Sequence, residues 1–450
     1  MDPQASSSTK KRKIDAESEV KTTSILEGLH YTKVHVLGES YNKNAYSFKE
    51  IINAIQPKRS IHFNFCVDFE FVMKNYPSHL RNKPITIITG SEKDVEDGEY
   101  LKQHFPNLKV QCASMVSQWG THHTKLSLFE TESGLHVMIS TANLIHDDWD
   151  HLTQAFYYAY GPYLIDDVAT SKRTKVVDNF GDDLKKYIRT AYLNPGLKIL
   201  NRVQDWSDIF AEKLPDFSHI KDRLVYSIPG KEWVQPMGYV ILRDLLKDRL
   251  KEDEIKDCTF VTQISSIGSL GQSKHEWLCR EFGGSLCGKT SGPKDMNLKI
   301  VYPSMQTMAD SVDGWLSGGS FPWSDNIYWR QKWMNDHFCD WKSDHLGRTR
   351  CMPHIKSYAV VTSDDTVKWL LITSANLSKA AWGRLNNNGR TTFVHSYELG
   401  VLMLAENSEA PLQLPYDWPL KGYSNTDTPF RRNARTNIKD CEGREYPYTQ

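Results

Sequence analysis

Two segments of the chain, one in each half, carry the same polar residues in the same order. Each contains a histidine, a lysine two positions later and an asparagine further on: His123, Lys125 and Asn143 in the first half, and His354, Lys356 and Asn376 in the second. The histidine-to-asparagine separations are 20 residues (143 − 123) and 22 residues (376 − 354), which predicts a strand, turn, strand and loop in both. We expect each histidine and its lysine to lie on the first strand, where residues two apart point to the same face. A duplication of this kind determines how two halves of a chain are arranged.

These residue types suit chemistry at a phosphodiester. Two lysines would supply fixed positive charge and two carboxamides neutral donors around the crowded oxygens of a pentavalent transition state. One neutral imidazole can attack phosphorus while the other, protonated, donates to the leaving oxygen and later accepts a proton from water. The set lacks a thiolate or carboxylate suited to a metal, so we expect no metal and no other cofactor. The spacing does not rank the two histidines.

A structural role is the alternative for each motif taken alone. A single His-x-Lys pair is a weak signal, and one histidine is more often structural than catalytic. A structural role does not explain why the histidine and lysine occur twice, each time with a matching asparagine.

The elements that must position these residues alternate between strand-like and helix-like patterns, which favours a layered α/β fold. At 450 residues the chain predicts two domains, at residues 23–210 and 211–450, after a disordered tail at 1–22. The predicted strands are Ser60–Phe65, Pro84–Thr89, Leu135–Ser140, Thr259–Ile264, Asn297–Tyr302, Tyr358–Thr362, Lys368–Thr373 and Glu398–Leu404. A helix is expected to present Val177, Phe180, Leu184, Tyr187, Ile188 and Ala191 on one face, and another Leu242, Leu246 and Leu250. After Glu406 we expect an ordered, irregular wrap.

Charge and cysteine usage limit the partners. Lysine plus arginine and aspartate plus glutamate both number 55, so a nucleic acid would need a local basic groove. The cluster Lys10–Lys13 is typical of a nuclear import signal, although a merely solvated tail is the alternative. Eight cysteines without a Cys-x-x-Cys pair favour reduced thiols in the cytosol or nucleus and argue against a zinc site. No apolar stretch is long enough to span a membrane.

At these motifs the chain resembles the phospholipase D superfamily, and within it the tyrosyl-DNA phosphodiesterases that act on topoisomerase I adducts. The resemblance rests on Gly120–Lys125, Asn143–His146, Met352–Lys356, Thr373–Trp382 and Ser396–Gly400. Most phospholipase D relatives carry an aspartate seven residues after the histidine, where this chain has Glu130 and Val361, a departure shared with the tyrosyl-DNA group. The resemblance implies two similar α-β-α sandwich domains related by a pseudo-twofold axis, with the active site at their interface.

The resemblance also implies residue roles. His123 would be the nucleophile and His354 the general acid and then base, while Lys125, Lys356, Asn143 and Asn376 would bind the phosphate. Gln154 and Glu398 would stand behind the histidines and fix their orientation.

Further positions match the family's DNA contacts. Ser265, Ser266 and Ser269 resemble a loop that binds DNA phosphates, although an ordinary Ser/Gly turn is the alternative. Trp119, Phe65, Pro322 and Arg330 fall where the family lines its substrate channel, although aromatic residues are more often part of a core.

The function implied is DNA repair: hydrolysis of the bond between a 3′-phosphate and tyrosine, or another 3′ adduct, leaving a 3′-phosphate through a phosphohistidine. The partners would be single-stranded or duplex DNA 3′ ends and a topoisomerase I-derived peptide. We expect a monomer in the nucleus, with the cytoplasm as an alternative. A broader phospholipase D-like nuclease or lipid phosphodiesterase, and a catalytically inactive DNA-end-binding scaffold, remain alternatives that substrate comparison would distinguish.

Overall fold

Two large mixed β-sheets, one from each half of the chain, form the centre of the computed structural model. The structure describes residues 27–164 and 177–446. The predicted tail and its basic cluster Lys10–Lys13 therefore lie outside the described residues. Within those residues, no helix has the length and apolar character needed to span a membrane.

The first sheet has eight strands, which in chain order are β1 (Gly28–Thr32), β2 (Ala45–Tyr46), β3 (Arg59–Phe63), β4 (Ile85–Thr89), β5 (Leu108–Cys112), β6 (Leu126–Glu130), β7 (Gly134–Ser140) and β8 (Ala155–Pro162). Their spatial order is β2-β1-β8-β7-β6-β3-β4-β5. Strands β3, β4 and β5 run parallel to one another, and β6, β7, β8 and β1 follow with antiparallel pairing.

The second half contributes β9 (Arg223–Ser227), β10 (Gly230–Trp233), β11 (Thr259–Gln263), β12 (Leu298–Val301), β13 (Phe338–Cys339), β14 (Ser357–Val361), β15 (Val367–Thr373), β16 (Arg384–Asn386), β17 (Thr391–Val394) and β18 (Glu398–Leu404). Seven of them form a sheet in the order β13-β12-β11-β14-β15-β18-β9. The other three form a small sheet, β10-β17-β16, that the sequence analysis did not predict.

The duplication is visible in the topology. Without the short strand β2, the first sheet reads β5-β4-β3-β6-β7-β8-β1, and the second reads β13-β12-β11-β14-β15-β18-β9. The pairing directions also agree at every step, with two parallel pairs followed by four antiparallel ones. Two similar α/β halves, as predicted, are therefore confirmed.

The α-helices are α1 (Phe48–Ile55), α2 (Phe69–Asn75), α3 (Glu92–Leu101), α4 (His146–Asp150), α5 (Asn179–Tyr192), α6 (Asn201–Glu212), α7 (Tyr239–Leu246), α8 (Glu252–Asp257), α9 (Gly283–Leu286), α10 (Met305–Ala309), α11 (Asp325–Trp329) and α12 (Lys379–Trp382). Helix α1 shows why they form where they do. Ser47 and Glu50 make a reciprocal capping box at its start, and its buried residues recur at helical spacing.

The apolar core joins the two halves. One buried cluster contains Leu128 and Tyr187 from the first half together with Phe260 and Leu399 from the second. A separate cluster, built around Phe48 and other residues of the first half, includes Ile52, Val72, Ile87 and Trp149. Strands β6 and β7 are buried along their whole length.

Some predicted boundaries differ from the structure. Val177 lies outside α5, before the capping residue Asp178, and is exposed. Helix α6 continues to Glu212, so the domain boundary predicted after residue 210 falls inside a helix. Leu250 lies beyond the end of α7 but remains buried. Between residues 408 and 446 there is no helix or multi-residue strand among the described residues, in agreement with the predicted irregular wrap.

Candidate active site

Both His-x-Lys segments lie immediately before a strand, rather than on one as predicted. His123 and Lys125 precede β6, and His354 and Lys356 precede β14. Each strand turns into its antiparallel partner, after which the matching asparagine follows β7 or β15. The first strand of each hairpin begins at the residue after the lysine, and the second strand ends beside that residue. The asparagine that follows the second strand therefore lies near the histidine and lysine of the same half.

The two halves exchange backbone hydrogen bonds at these segments. The His123 N–H donates to the Tyr397 carbonyl, with an N···O distance of 3.0 Å, just before β18. In the equivalent place, the Thr153 N–H donates to the Met352 carbonyl and the Ile355 N–H donates to the Thr153 carbonyl, each at 2.9 Å. The start of β8 thus lies against the second motif, and the start of β18 against the first.

Glu398 stands behind His123. Its Oε2 lies 2.9 Å from His123 Nδ1 and 2.5 Å from the hydroxyl of Ser374. Burial lowers the pKa of His123, although the carboxylate acts in the opposite direction. Burial by itself would raise the pKa of Glu398, but the interaction with His123 brings that pKa below its ordinary value. The carboxylate accepts Nδ1–H and leaves the Nε2 lone pair of His123 available.

Gln154 stands behind His354 in the equivalent position, with 2.7 Å between Gln154 Nε2 and His354 Nδ1. The orientation of its amide is fixed from behind. The Ala155 N–H donates to the Thr141 hydroxyl, which in turn donates to Gln154 Oε1 at 2.7 Å. The amide nitrogen therefore faces the imidazole and can donate to Nδ1 of a neutral ring. Burial lowers the pKa of His354 to about 4.

Asp148 is a member of the site that the sequence analysis missed. It is fully buried, and a carboxylate oxygen lies 3.2 Å from His354 Nδ1. The Asn143 N–H donates to the same carboxylate at 2.5 Å. Burial would raise the pKa of Asp148, but His354 and the N–H donor hold that pKa below its ordinary value. The repeat gave no signal for this residue, because the position five residues after Asn376 is Ala381.

The two lysines are buried beside the histidines. Lys125 Nζ donates to the His123 carbonyl at 2.9 Å, and Lys356 Nζ donates to the His354 carbonyl. Burial lowers the pKa of Lys125 to about 8. Burial followed by repulsion from Lys125 lowers the pKa of Lys356 well below its usual value. Such a pair gains charge stabilisation when an anion enters between them.

The serine loop after β11 orients one asparagine. Asn376 Oδ1 accepts from the N–H groups of Ser265 and Ser266, each at 3.0 Å, so its amide group is held with the nitrogen free to donate elsewhere. The Ser265 side chain is buried against Asn376, whereas Ser266 is half-buried and Ser269 is exposed. Asn143 Oδ1 is buried without a hydrogen-bond partner among the described residues.

Phe65 occupies the position in the first half that Ser265 occupies in the second, because β3 and β11 are equivalent strands. Its ring centroid lies 5.3 Å from that of His123 and 5.5 Å from Lys125 Nζ. Trp119, Pro322 and Arg330 are exposed. Within the described residues, no hydrogen bond or ring contact joins these three to the paired histidines, lysines or asparagines.

The two positions seven residues after the histidines have structural surroundings. Glu130 forms ion pairs with Arg59 and Lys213 at the end of β6. Val361 is buried at the end of β14. Neither residue takes the part that an aspartate at this position would play in the wider superfamily.

Comparison with known proteins shows which family the chain resembles. The family model described as tyrosyl-DNA phosphodiesterase matches residues 29–437. A probable tyrosyl-DNA phosphodiesterase of Caenorhabditis elegans is 36% identical over 417 residues, covering 89% of this chain and 88% of the relative. Tyrosyl-DNA phosphodiesterase 1 of Drosophila melanogaster is 33% identical over 405 residues, covering 82% and 67%.

The fold is also that of a solved structure. The crystal structure of the yeast tyrosyl-DNA phosphodiesterase superposes with a TM-score of 0.68 and 21% identity, covering 90% of this chain and 100% of the yeast chain. At that identity the likeness bears on the fold alone, and it agrees with the duplicated sheets. The chain therefore belongs to the tyrosyl-DNA phosphodiesterase family, phosphodiesterases built on the duplicated phospholipase D-like fold.

Proposed function

We propose that this phosphodiesterase hydrolyses the bond between a DNA 3′-phosphate and a tyrosine of a stalled topoisomerase I peptide, or a similar 3′ adduct, through a phosphohistidine on His123. The observation that carries the proposal is the unequal support of the two histidines. His123 is backed by the carboxylate of Glu398, whereas His354 is backed by the amide of Gln154 and the carboxylate of Asp148.

The support of His123 suits a nucleophile. Glu398 keeps a proton on Nδ1, so Nε2 presents a lone pair to phosphorus. Attack forms the P–N bond and breaks the bond from phosphorus to the tyrosine oxygen. We assign Lys125, Lys356, Asn143 and Asn376 to the phosphoryl oxygens, whose charge their ammonium and amide groups would stabilise.

The support of His354 suits a group that changes protonation state. Gln154 can donate to Nδ1 of the neutral ring, and Asp148 can accept from Nδ1 of the protonated ring. An anionic phosphodiester favours the imidazolium and raises the pKa of His354 from its low value in the free enzyme. Nε2–H then donates to the departing oxygen, which matters moderately because a phenol has a pKa of about 10.

The second displacement uses the same histidine in reverse. After the tyrosine leaves, His354 is neutral: its remaining proton stays on Nδ1, hydrogen-bonded to Asp148, and its Nε2 lone pair can accept a proton from water. The resulting hydroxide attacks phosphorus, the P–N bond to His123 breaks, and a 3′-phosphate is released. The imidazole of His123 returns to its starting state.

The exposed residues around the site support a DNA substrate. Ser266 and Ser269 lie on the loop that holds Asn376, and Phe65 faces His123. We assign phosphate contacts to the two serines and to Arg330, and base or peptide contacts to Phe65 and Trp119. Pro322 is assigned to the channel wall.

We further propose that the protein acts as a monomer and that it is located in the nucleus. The basic cluster Lys10–Lys13 supports the nuclear location.

The test is cleavage of a 3′-phosphotyrosyl oligonucleotide in the presence of a chelator. Native protein should convert it to a 3′-phosphate, and His123→Ala should abolish conversion. His354→Ala should slow release and accumulate a covalent protein–DNA adduct, because the second displacement loses its base. His219→Ala is the matched control, since this histidine is half-exposed and pairs only with Glu27 among the described residues.

Three outcomes would contradict the proposal. Loss of native activity in chelator would overturn the two-histidine mechanism. Preferential turnover of a lipid or an internal phosphodiester would favour a broader phospholipase D-like enzyme. Binding without turnover on every 3′ adduct would favour an inactive DNA-end-binding scaffold.

A further inference from the structure

A cluster of metal-binding residue types surrounds the short helix α4, outside the proposed catalytic set. His146, Asp147 and His151 each offer a ligand atom, and these atoms lie within 4.8 Å of one another. The two imidazole centroids are 5.4 Å apart. We propose that this cluster, the α4 site, binds a divalent transition-metal ion of the Zn²⁺ type.

The remaining ring nitrogens already have carboxylate partners. His151 Nδ1 lies 3.1 Å from one oxygen of Asp313, which leaves Nε2 of His151 for a metal. His146 Nε2 lies 3.2 Å from Asp150, which leaves Nδ1 on the side of Asp147, 3.7 Å from its carboxylate. A carboxylate on the second nitrogen is the usual support of a metal-binding histidine, because it fixes the ring and increases its basicity.

The donor types decide the class of ion. Two imidazoles and one carboxylate suit Zn²⁺, Co²⁺ or Ni²⁺, whereas Mg²⁺ and Ca²⁺ prefer oxygen ligands alone. Tetrahedral zinc with bonds of about 2.0–2.1 Å brings its ligand atoms to roughly 3.4 Å from one another, so ligand atoms now up to 4.8 Å apart must approach by up to about 1.4 Å. His146 and Asp147 can do so, because their side chains are 64% and 77% exposed. A fourth position stays open to water or a phosphate oxygen.

The α4 site joins the two halves of the molecule. Asp313 belongs to the second half, and its carbonyl accepts from the guanidinium of Arg444 at 2.8 Å. A cavity of about 130 Å³ beside it is lined by Asp147, His151, Leu152, Asp313, Leu316, Ser317 and Ser320. Asp148, on the same helix, is buried toward His354 instead. A metal here would therefore be held by side chains of the first half, with Asp313 of the second half supporting His151 from behind, and it would lie apart from the proposed catalytic residues.

The test is titration of the full chain, free of any histidine tag, with Co²⁺ followed by visible absorption and with Zn²⁺ followed by calorimetry. We expect one equivalent to bind with the absorption of a nitrogen- and oxygen-ligated Co²⁺. The double variant His146→Asn and His151→Asn should weaken binding at least tenfold, and Asp313→Asn about tenfold through loss of the supporting carboxylate. His219→Asn should bind as the native protein does, because it changes a histidine beside one carboxylate whose side-chain exposure, 47%, lies between the 64% of His146 and the 29% of His151.

Binding that persists in the double variant, or no saturable binding below about 1 mM metal, would overturn the proposal. The circular dichroism of each variant checks its folding. Cleavage of the 3′-phosphotyrosyl oligonucleotide in chelator should be unchanged in the double variant. Metal binding and cleavage are therefore measured separately, so either proposal can be contradicted without affecting the other.

Discussion

The two histidines of the candidate site occupy equivalent places in a duplicated fold, yet their surroundings are chemically different. Ser374 and Thr141 are matching hydroxyls, and each donates to the residue that supports the histidine of the other half. On one side that residue is Glu398, and on the other it is Gln154. A carboxylate fixes one tautomer, whereas an amide together with Asp148 accommodates two protonation states. The proposed roles of His123 as nucleophile and His354 as proton carrier rest on this difference.

Asp148 is predicted to position His354. Asp148→Asn keeps the shape and can still accept from the Asn143 N–H, but it removes the charge that stabilises the imidazolium. A hydrogen bond to a charged group contributes about 1.5–3 kcal/mol, so turnover should fall roughly 10- to 100-fold. Single-turnover assays should show the phosphohistidine accumulating, because the base of the second step is impaired.

The control for this prediction is Asp147→Asn, measured in chelator. Asp147 is adjacent in sequence, but its side chain is 77% exposed and its carboxylate faces His146. Its substitution should leave turnover unchanged. If Asp148→Asn retained native rates for both displacements, the carboxylate would be structural only.

The pH dependence should reflect the buried lysine and histidine. Burial lowers the pKa of Lys125 to about 8, so its charge is lost as the pH rises through that value in the free enzyme. Because the pKa of His354 is about 4 in the free enzyme, kcat/KM should already decline with pH below pH 8. We expect this decline to steepen above about pH 8 with KM rising more than kcat, because a bound phosphate keeps the lysine protonated. Burial also lowers the pKa of His123, so the neutral nucleophile persists to lower pH and the acid limb lies below about pH 6.5. Steady-state rates across this range check both limbs, and a constant kcat/KM to pH 9 would contradict the lysine assignment.

At the scale of secondary-structure elements, the repeat predicted the hairpins that carry each asparagine back to its lysine. The apolar, β-branched runs predicted eight of the strands, with the bounds of Glu398–Leu404 correct and those of the other seven within two residues, because such buried runs give a strong signal. They did not predict others, among them β1, β5, β8 and β9. The sequence pattern predicted that the histidines lie on strands. They lie instead just before β6 and β14, in segments that pair with the other half of the chain. Those pairings, like Asp148, depend on contacts between the halves that no local pattern records.

The junction before the first motif is predicted to be intolerant of any side chain at Gly120. A Cβ there would lie 2.0 Å from the backbone carbonyl oxygen of His395. His395 lies three residues before Glu398, which supports His123. Gly120→Ala should push the two segments apart, lower stability by about 1–3 kcal/mol and reduce kcat at least tenfold. Denaturant unfolding and the cleavage assay measure the two effects.

The matched control is Gly319→Ala, because Gly319 is exposed and a Cβ there would meet nothing within 4 Å. Equal behaviour of the two variants would show that the junction can relax without disturbing His123.

At the scale of the whole molecule, the halves are interlocked rather than merely adjacent. Each half supplies the residue that supports the other half's histidine, and one apolar cluster includes residues of both. The balanced net charge gives no long-range attraction for DNA, so binding depends on the local groups around the site. The catalytic arrangement is therefore a property of the assembled pair of halves.

This interlocking predicts a single cooperative unfolding transition, although a chain of 450 residues with two similar halves would ordinarily show two. Unfolding either half exposes the shared cluster and leaves the histidine of the other half without its support. Far-ultraviolet circular dichroism, tryptophan fluorescence and cleavage activity should thus be lost at the same denaturant concentration. Activity lost well before half of the ellipticity would instead show that the halves separate first, and that the contacts between them are weaker than the shared core implies.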